Sequence, residues 1–243
     1  MAGTAVLGRL KPLTWRVASV ADVREETPRT RTLVLDVENW EPHRPGQHVD
    51  IRLTAEDGYQ AERSYSIGSA PRHGQFELTV ERIDDGEVSP YLVDEVRRGD
   101  SFEIRGPVGG YFVWEPHQGG PLLLLAGGSG VVPLMSMLRV RPSEVAARLV
   151  YSSRTLGDVI YRDELETFGD TVVLTLTRED RSGVRTGRVD GELLREVGFA
   201  PNEHPRIYIC GPTGFVEAAA SSLVDLGHAP ERVHTERFGP TGR

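Results

Sequence analysis

One cysteine, Cys210, serves the whole chain of 243 residues. A lone thiol cannot close an internal disulfide, and unaided it cannot hold an iron–sulfur cluster or a structural zinc. No metal site is expected. Lysine is equally scarce: Lys11 is the only one, so nearly all positive charge is arginine, the side chain suited to planar, bidentate recognition of phosphate. Positive charge as a whole is outweighed, with a formal net charge of −8, which argues against a sequence-independent grip on nucleic acid or on an anionic membrane. No apolar run approaches the ~20 residues that span a bilayer, and Met1–Trp15 lacks the unbroken apolar core of a signal peptide. The expectation is a cytoplasmic protein with neither nucleic acid nor membrane as partner. What is present is a 38% hydrophobic share, enough for real cores, in a chain long enough for two ordinary domains.

The two halves have different rhythms. In the first, Thr14–Val23, Thr30–Glu38, Gln47–Thr54, Gln60–Ile67, Phe76–Ile83 and Ser101–Arg105 are rich in β-branched residues, roughly alternating, and separated by Gly, Pro and Asp. A single helical pattern, Ser89–Val96, interrupts them, with Ser89 as N-cap and Pro90 at the first position. Six strands without intervening helices predict an antiparallel, closed or nearly closed barrel. Beyond Glu115, continuous apolar runs alternate with helical patterns: Pro121–Ala126 then Val131–Arg139, Arg148–Ser152 then Asp158–Phe168, Thr171–Thr177 then Val189–Val197, Arg206–Cys210 then Gly214–Leu226, and finally Arg232–Glu236. Runs such as Leu122–Leu125 fit strands buried on both faces. The alternation predicts a doubly wound, five-stranded parallel sheet. The fold class is therefore β followed by α/β, with domains 1–115 and 116–243.

Chemistry concentrates in a few turns. Gly127-Gly128-Ser129-Gly130 follows a buried strand and opens a helix, where backbone amides and the helix dipole favour a pyrophosphate. Its spacing is not G-x-G-x-x-G, and a tight turn without a ligand reads equally well from these residues alone. Cys210-Gly211-Pro212 repeats the strand–turn–helix context; a buried cysteine before an ordinary turn is the plainer reading. Thr177-Arg178 ends a strand, with Arg185 and Arg188 a short loop away. Arginines there are suited to a 2′-phosphate through charge-assisted hydrogen bonds, although solvated surface arginines have the same appearance. In the first half, Arg63-Ser64-Tyr65-Ser66 alternates, with Arg63 and Tyr65 on one face and Ser64 and Ser66 on the other. An arginine can neutralise a phosphate, a tyrosine offers a flat stacking face, and a hydroxyl can bond a ring nitrogen. Glu87-Val88-Ser89 precedes the lone helix, and Gly106-Pro107-Val108-Gly109 closes the last strand with a turn.

In this order these segments, with Pro133 and Glu236-Arg237-Phe238, resemble the ferredoxin–NADP reductase superfamily over nearly the whole chain. The resemblance implies an NAD(P)H-dependent flavoprotein oxidoreductase without the fused iron–sulfur domain. It implies that Arg63 pairs with the FAD pyrophosphate, Tyr65 stacks on the isoalloxazine and Ser66 bonds near flavin N5. Thr79, Val80 and Glu81 would lie along the flavin and adenylate edge, and Glu87, Val88 and Ser89 would meet the phosphates. Gly127, Gly128 and Gly130 would form the cofactor-binding turn, with Ser129 between flavin and nicotinamide. Ser153-Arg154 and Thr177-Arg178, with Arg185, would hold the adenine nucleotide, favouring NADP(H) over NAD(H). Cys210, with Gly211 and Pro212, would lie beside nicotinamide C4, and Ser66, Cys210 and Glu236 would be the catalytic set. Phe238 stands where some relatives end in an aromatic that covers the flavin; here Gly239–Arg243 follow it. The implied partner is a one-electron acceptor: ferredoxin, flavodoxin or an oxygenase component. Two alternatives remain at this point, a flavin reductase that releases reduced flavin and a non-catalytic subunit that senses redox state.

Overall fold

The computed structural model describes residues 13–238; Lys11 and the tail Gly239–Arg243 lie outside the described residues. The first half forms six strands: β1 (Trp15–Thr27), β2 (Thr30–Val37), β3 (His48–Thr54), β4 (Gln60–Ser66), β5 (Gln75–Glu81) and β6 (Ser101–Val108). They pair antiparallel in the order β4-β3-β6-β1-β2-β5. The two ends meet where Ile67 bridges Leu78 and the Gly68 N–H donates to the Glu77 carbonyl at 2.9 Å, so the sheet closes into the expected barrel. Alternation explains its interior: Leu33 and Leu35 of β2 and Phe76, Leu78 and Val80 of β5 are fully buried, each contributing about 1.5–3 kcal/mol by leaving water. Trp40 plugs one end by stacking on Phe76, ring centroids 4.4 Å apart.

Two local expectations are corrected. β6 runs on through Gly106-Pro107 to Val108, so those residues continue the strand rather than turn it. Gly106 has φ 156° and backs onto β3, where an added Cβ would lie 2.8 Å from Val49 Cγ1. The lone helix is a single wide turn, Tyr91–Glu95, preceded by Pro90, and no side chain caps it. The Ser89 hydroxyl instead accepts the Ile83 N–H at 3.0 Å, bracing the loop that follows β5.

The second half holds β7 (Leu122–Gly127), β8 (Ala147–Ser153), β9 (Val172–Leu176), β10 (Arg185–Thr186), β11 (Arg206–Pro212) and β12 (Val233–Phe238), with helices α1 (Val131–Val140), α2 (Arg162–Thr167), α3 (Gly191–Val197) and α4 (Thr213–Asp225). All six strands are parallel, in the order β10-β9-β8-β7-β11-β12. Five are those the apolar runs predict. The sixth, β10, is a two-residue edge strand too short to leave a pattern. The Leu122–Leu125 run feeds both faces: Leu122 and Leu124 pack with α1 residues, Leu123 and Leu125 with α3 and α4 residues. α2 starts later than Asp158 because Tyr161 has a left-handed backbone, φ 59°, and α3 starts at Gly191, capped by Asp190 accepting the Leu193 N–H at 2.9 Å.

The halves are bolted together. Phe112 and Trp114, which follow the barrel, are buried in the core of the parallel sheet. Arg139 of α1 donates to the Gly68 carbonyl at 2.7 Å and Ser136 to the Ser69 carbonyl at 2.8 Å. The Tyr161 hydroxyl meets Thr79 Oγ1 of β5, and its ring lies under the Arg139 guanidinium at 4.7 Å.

Candidate active-site cleft

The carboxyl ends of β7, β8, β9, β11 and β12 arrive together against β4 and β5. Ligands bind at that end of a doubly wound sheet, because there the loops diverge and helix starts are exposed. A cleft of about 1230 Å³ opens at this junction.

One wall is barrel. Arg63, Ser64, Tyr65 and Ser66 all line it. β4 is a terminal strand of the sheet order, and the cleft meets the strand along that side, so the two-face alternation does not divide the four residues. Tyr65 is half-buried and packs on the barrel core; burial pushes its phenol well above the ordinary range, so it stays neutral. Ser64 donates to Asp50 at 2.6 Å, which Arg105 also grips at 2.8 Å. Thr79, Glu81, Glu87, Val88 and Ser89 line the same wall. Thr79 is occupied, sharing hydrogen bonds with Thr32 at 2.7 Å and with Tyr161. Val80 does not reach the cleft; it points into the barrel core.

The opposite wall is built from turns. Gly127, Gly128, Ser129, Ser153, Arg154, Thr177 and Pro212 line it. Backbone pairing joins two of these segments: Thr177 N–H donates to the Ser153 carbonyl and Arg178 N–H to the Arg154 carbonyl, each at 2.9 Å. The glycines have two separate reasons. A Cβ on Gly130 would sit 2.0 Å from the Cys210 carbonyl oxygen, and one on Gly211 3.1 Å from Gly127 Cα, so the turns after β7 and β11 press backbone on backbone. Gly128 instead faces open space with φ 55°, a conformation that favours glycine.

Several expected residues lie elsewhere. Gly130 and Gly211 support the wall rather than line it. Arg178 is exposed outside the lining, and Arg185 is turned away into an ion pair with Glu196 of α3. Cys210 is fully buried in the core on the α1 face, where burial, with Glu236 alongside, drives its thiol pKa well up. Glu236 is the register neighbour of Cys210 on β12. Its Oε2 is buried and has no hydrogen-bond partner among the described residues, and burial pushes its carboxyl up to about 7. An orphaned carboxyl oxygen at the strand ends is a polar group awaiting a donor.

The cleft also holds three residues that motif reading passed over, Arg29, Asp158 and Phe215, together with Arg188 and Phe238, which the sequence had named beside its main motifs. Arg188 had a signal, its place in the loop after Thr177-Arg178. Phe215 lies just past Cys210-Gly211-Pro212, and its ring fills the space beside Gly127 and Gly211. Arg29 sits in the β1–β2 turn, and only tertiary closure brings it in. Arg154 and Arg188 form no ion pair among the described residues, whereas Arg29 pairs with Asp84 at 3.1 Å and Arg63 with Glu87 at 2.5 Å.

No helix of the described residues is long and apolar enough to cross a membrane. Residues 18–113 match the family model for the oxidoreductase FAD-binding domain, and residues 124–221 the one for the oxidoreductase NAD-binding domain. A flavohemoprotein of Bacillus subtilis is 30% identical over 238 residues, covering 91% of this chain and 58% of that protein. The glycine betaine monooxygenase reductase subunit of Chromohalobacter salexigens is 33% identical over 210 residues, covering 82% and 56%. The chain thus spans little more than half the length of these two relatives. The flavohem-like FAD/NAD-binding domain of the Vibrio cholerae nitric oxide dioxygenase superposes with a TM-score of 0.83 at 25% identity, covering 93% of this chain and 99% of that one. With an FAD-binding barrel and an NAD-binding sheet closing on one cleft, the chain belongs to the ferredoxin reductase-like family of flavin- and nicotinamide-dependent oxidoreductases.

Proposed function

We propose that this chain passes electrons from reduced nicotinamide dinucleotide, NADPH in preference to NADH, through FAD to a separate one-electron acceptor: a ferredoxin, a flavodoxin or an oxygenase component. The observation that carries the reading is the single cleft that sets Arg63-Ser64-Tyr65-Ser66 opposite Gly127-Gly128-Ser129. Its residues fit the two cofactors. Tyr65 supplies a neutral, half-buried ring for a flat partner and Gly128 leaves open space where a side chain would stand, while Glu236, next to the lining rather than in it, has an Oε2 without a donor among the described residues. In this reading residues 1–115 form the FAD-binding unit and 116–243 the NAD(P)-binding unit, with Phe112 and Trp114 rooted in the second core.

FAD, when bound, takes up two electrons from a reduced nicotinamide and releases them one at a time. The chain's own part is binding, alignment and exclusion of water. Tyr65 and Phe238 offer ring faces, and Ser66 and Ser129 offer hydroxyls. Glu236, with its carboxyl near 7, can hold or yield a proton at physiological pH. Cys210, buried in the sheet core, contributes by shaping the turn that Gly211 and Pro212 continue toward the cleft. Arg154 and Arg188 line the cleft and have no ion pair among the described residues, and they take the 2′-phosphate role in place of Arg178, which lies outside the lining, and Arg185, which is paired with Glu196. Glu179, the acidic residue nearest that strand end, is turned away to accept the Leu156 N–H at 2.7 Å.

Anaerobic mixing of the FAD-loaded chain with each nicotinamide tests both levels. The expected result is bleaching of a yellow protein, faster with NADPH, followed by reduction of ferricyanide or cytochrome c with turnover. Arg188→Ala is expected to weaken NADPH binding by about ten- to a hundredfold, consistent with loss of one charge-assisted bond of roughly 1.5–3 kcal/mol, and to leave NADH binding within twofold. Faster bleaching by NADH overturns the cofactor preference. A colourless chain that takes up no flavin overturns the whole reading.

A further inference from the structure

We propose that Glu87 is an internal competitor for the phosphate-binding arginine of the barrel wall, and that it sets how tightly this chain holds a flavin dinucleotide. The inference rests on the functional reading above. Arg63 lies on the cleft wall beside Tyr65, the position from which a guanidinium can grip a pyrophosphate. Its Nη2 is taken by Glu87 Oε2 at 2.5 Å, and its Nη1 by the Glu62 carbonyl at 2.7 Å. The Glu87 carboxylate is itself held: its other oxygen accepts the Tyr59 hydroxyl at 2.6 Å. The Tyr59 and Arg63 bonds together keep its pKa below the ordinary carboxylate range, so at neutral pH it is a full negative charge.

The contrast across the cleft is what points to a role. Both barrel-side cations, Arg63 and Arg29, are matched by carboxylates, Glu87 and Asp84. The sheet-side cations Arg154 and Arg188 are not, among the described residues. A dinucleotide arriving at the sheet side meets free guanidinium groups. One arriving at the barrel side must first displace a carboxylate, and it then sits beside that carboxylate with two negative charges of its own. The backbone around Glu87 keeps its carboxylate close to Arg63. The loop that carries it is pinned by the Gly86 N–H to the Ile83 carbonyl at 3.0 Å and by the Ile83 N–H to Ser89 Oγ. The Arg63–Glu87 pair is about half exposed on both sides, so it is weak enough to exchange. Its effect is a graded loss of affinity, not a block, and it acts only on flavins that carry phosphate.

The test is titration of flavin-free protein with FAD and with riboflavin, followed by flavin fluorescence, for wild type, Glu87→Gln, Arg63→Ala and the double variant, at low and high salt. Glu87→Gln is expected to tighten FAD by about three- to tenfold at low salt, as removal of one exposed charge allows. The gain should shrink at high salt, because exposed charges are screened there. Riboflavin, which has no phosphate, should bind the variant as it binds wild type. In the Arg63→Ala background the Glu87→Gln gain should shrink, because only the repulsion between carboxylate and pyrophosphate is left to relieve. The proposal is overturned if Glu87→Gln binds FAD no better than wild type, or if riboflavin tightens by the same factor. If neither flavin binds any of the four proteins, the flavoprotein reading falls, and this inference with it.

Discussion

Glu236 shows how one residue can make the stability of the fold depend on pH. Its carboxyl lies at the end of β12 with Oε2 buried and unpartnered, and burial raises its pKa from the usual glutamate range to about 7. A raised pKa means the folded state favours the protonated form. The residue therefore costs nothing below the unfolded value near 4.5. Its cost grows as pH rises between the two values, to a penalty on the order of 3 kcal/mol above pH 7. Glu236→Gln is expected to raise the urea midpoint at pH 8 and to leave it unchanged at pH 4.5. A variant less stable than wild type at pH 8 shows that the charge has a partner in the fold.

At the scale of elements, the seam between barrel and sheet depends on one tyrosine held in an unusual conformation. Tyr161 has φ 59°, rare for a bulky side chain and costly by about 1–3 kcal/mol. Its surroundings hold it there: Thr79 at the hydroxyl, Arg139 over the ring, Glu26 at the backbone N–H. A double-mutant cycle of Tyr161→Phe and Thr79→Val is expected to give a coupling energy of about 1 kcal/mol or more by denaturant unfolding, since a buried hydroxyl pair leaves an orphan when one member goes. A coupling near zero removes this bond from the seam. None of this is visible along the chain. The barrel strands were legible because inward residues alternate, as in Leu33 and Leu35, and the parallel sheet because Leu122–Leu125 is apolar on both faces. The ligand turns were legible as glycines between a strand and a helix. The pairing of Arg63 with Glu87 and the arrival of Arg29 and Phe238 at the cleft depend on closure of the fold, which no local periodicity encodes. β10 and the wide turn at Tyr91 are too short for any pattern to stand out.

For the molecule as a whole, the two halves are expected to unfold together. Phe112 and Trp114 tie the end of the barrel segment into the other core, and Arg139, held on its own side by Glu164 of α2, reaches Gly68 and Glu77 across the seam. Interfaces of this kind couple domains when they are well packed and fully bonded. Calorimetry is expected to show one transition with matching calorimetric and van't Hoff enthalpies; two separated peaks show that the seam fails first. The sealed thiol gives an independent view of the same event. Because the sequence has one cysteine, and that one is fully buried between strands, a maleimide or disulfide reagent has nothing to attack until the sheet itself parts. The chain carries its own clock: the rate at which it takes up a thiol label in native buffer reads out how often the centre of the nucleotide-binding sheet comes open.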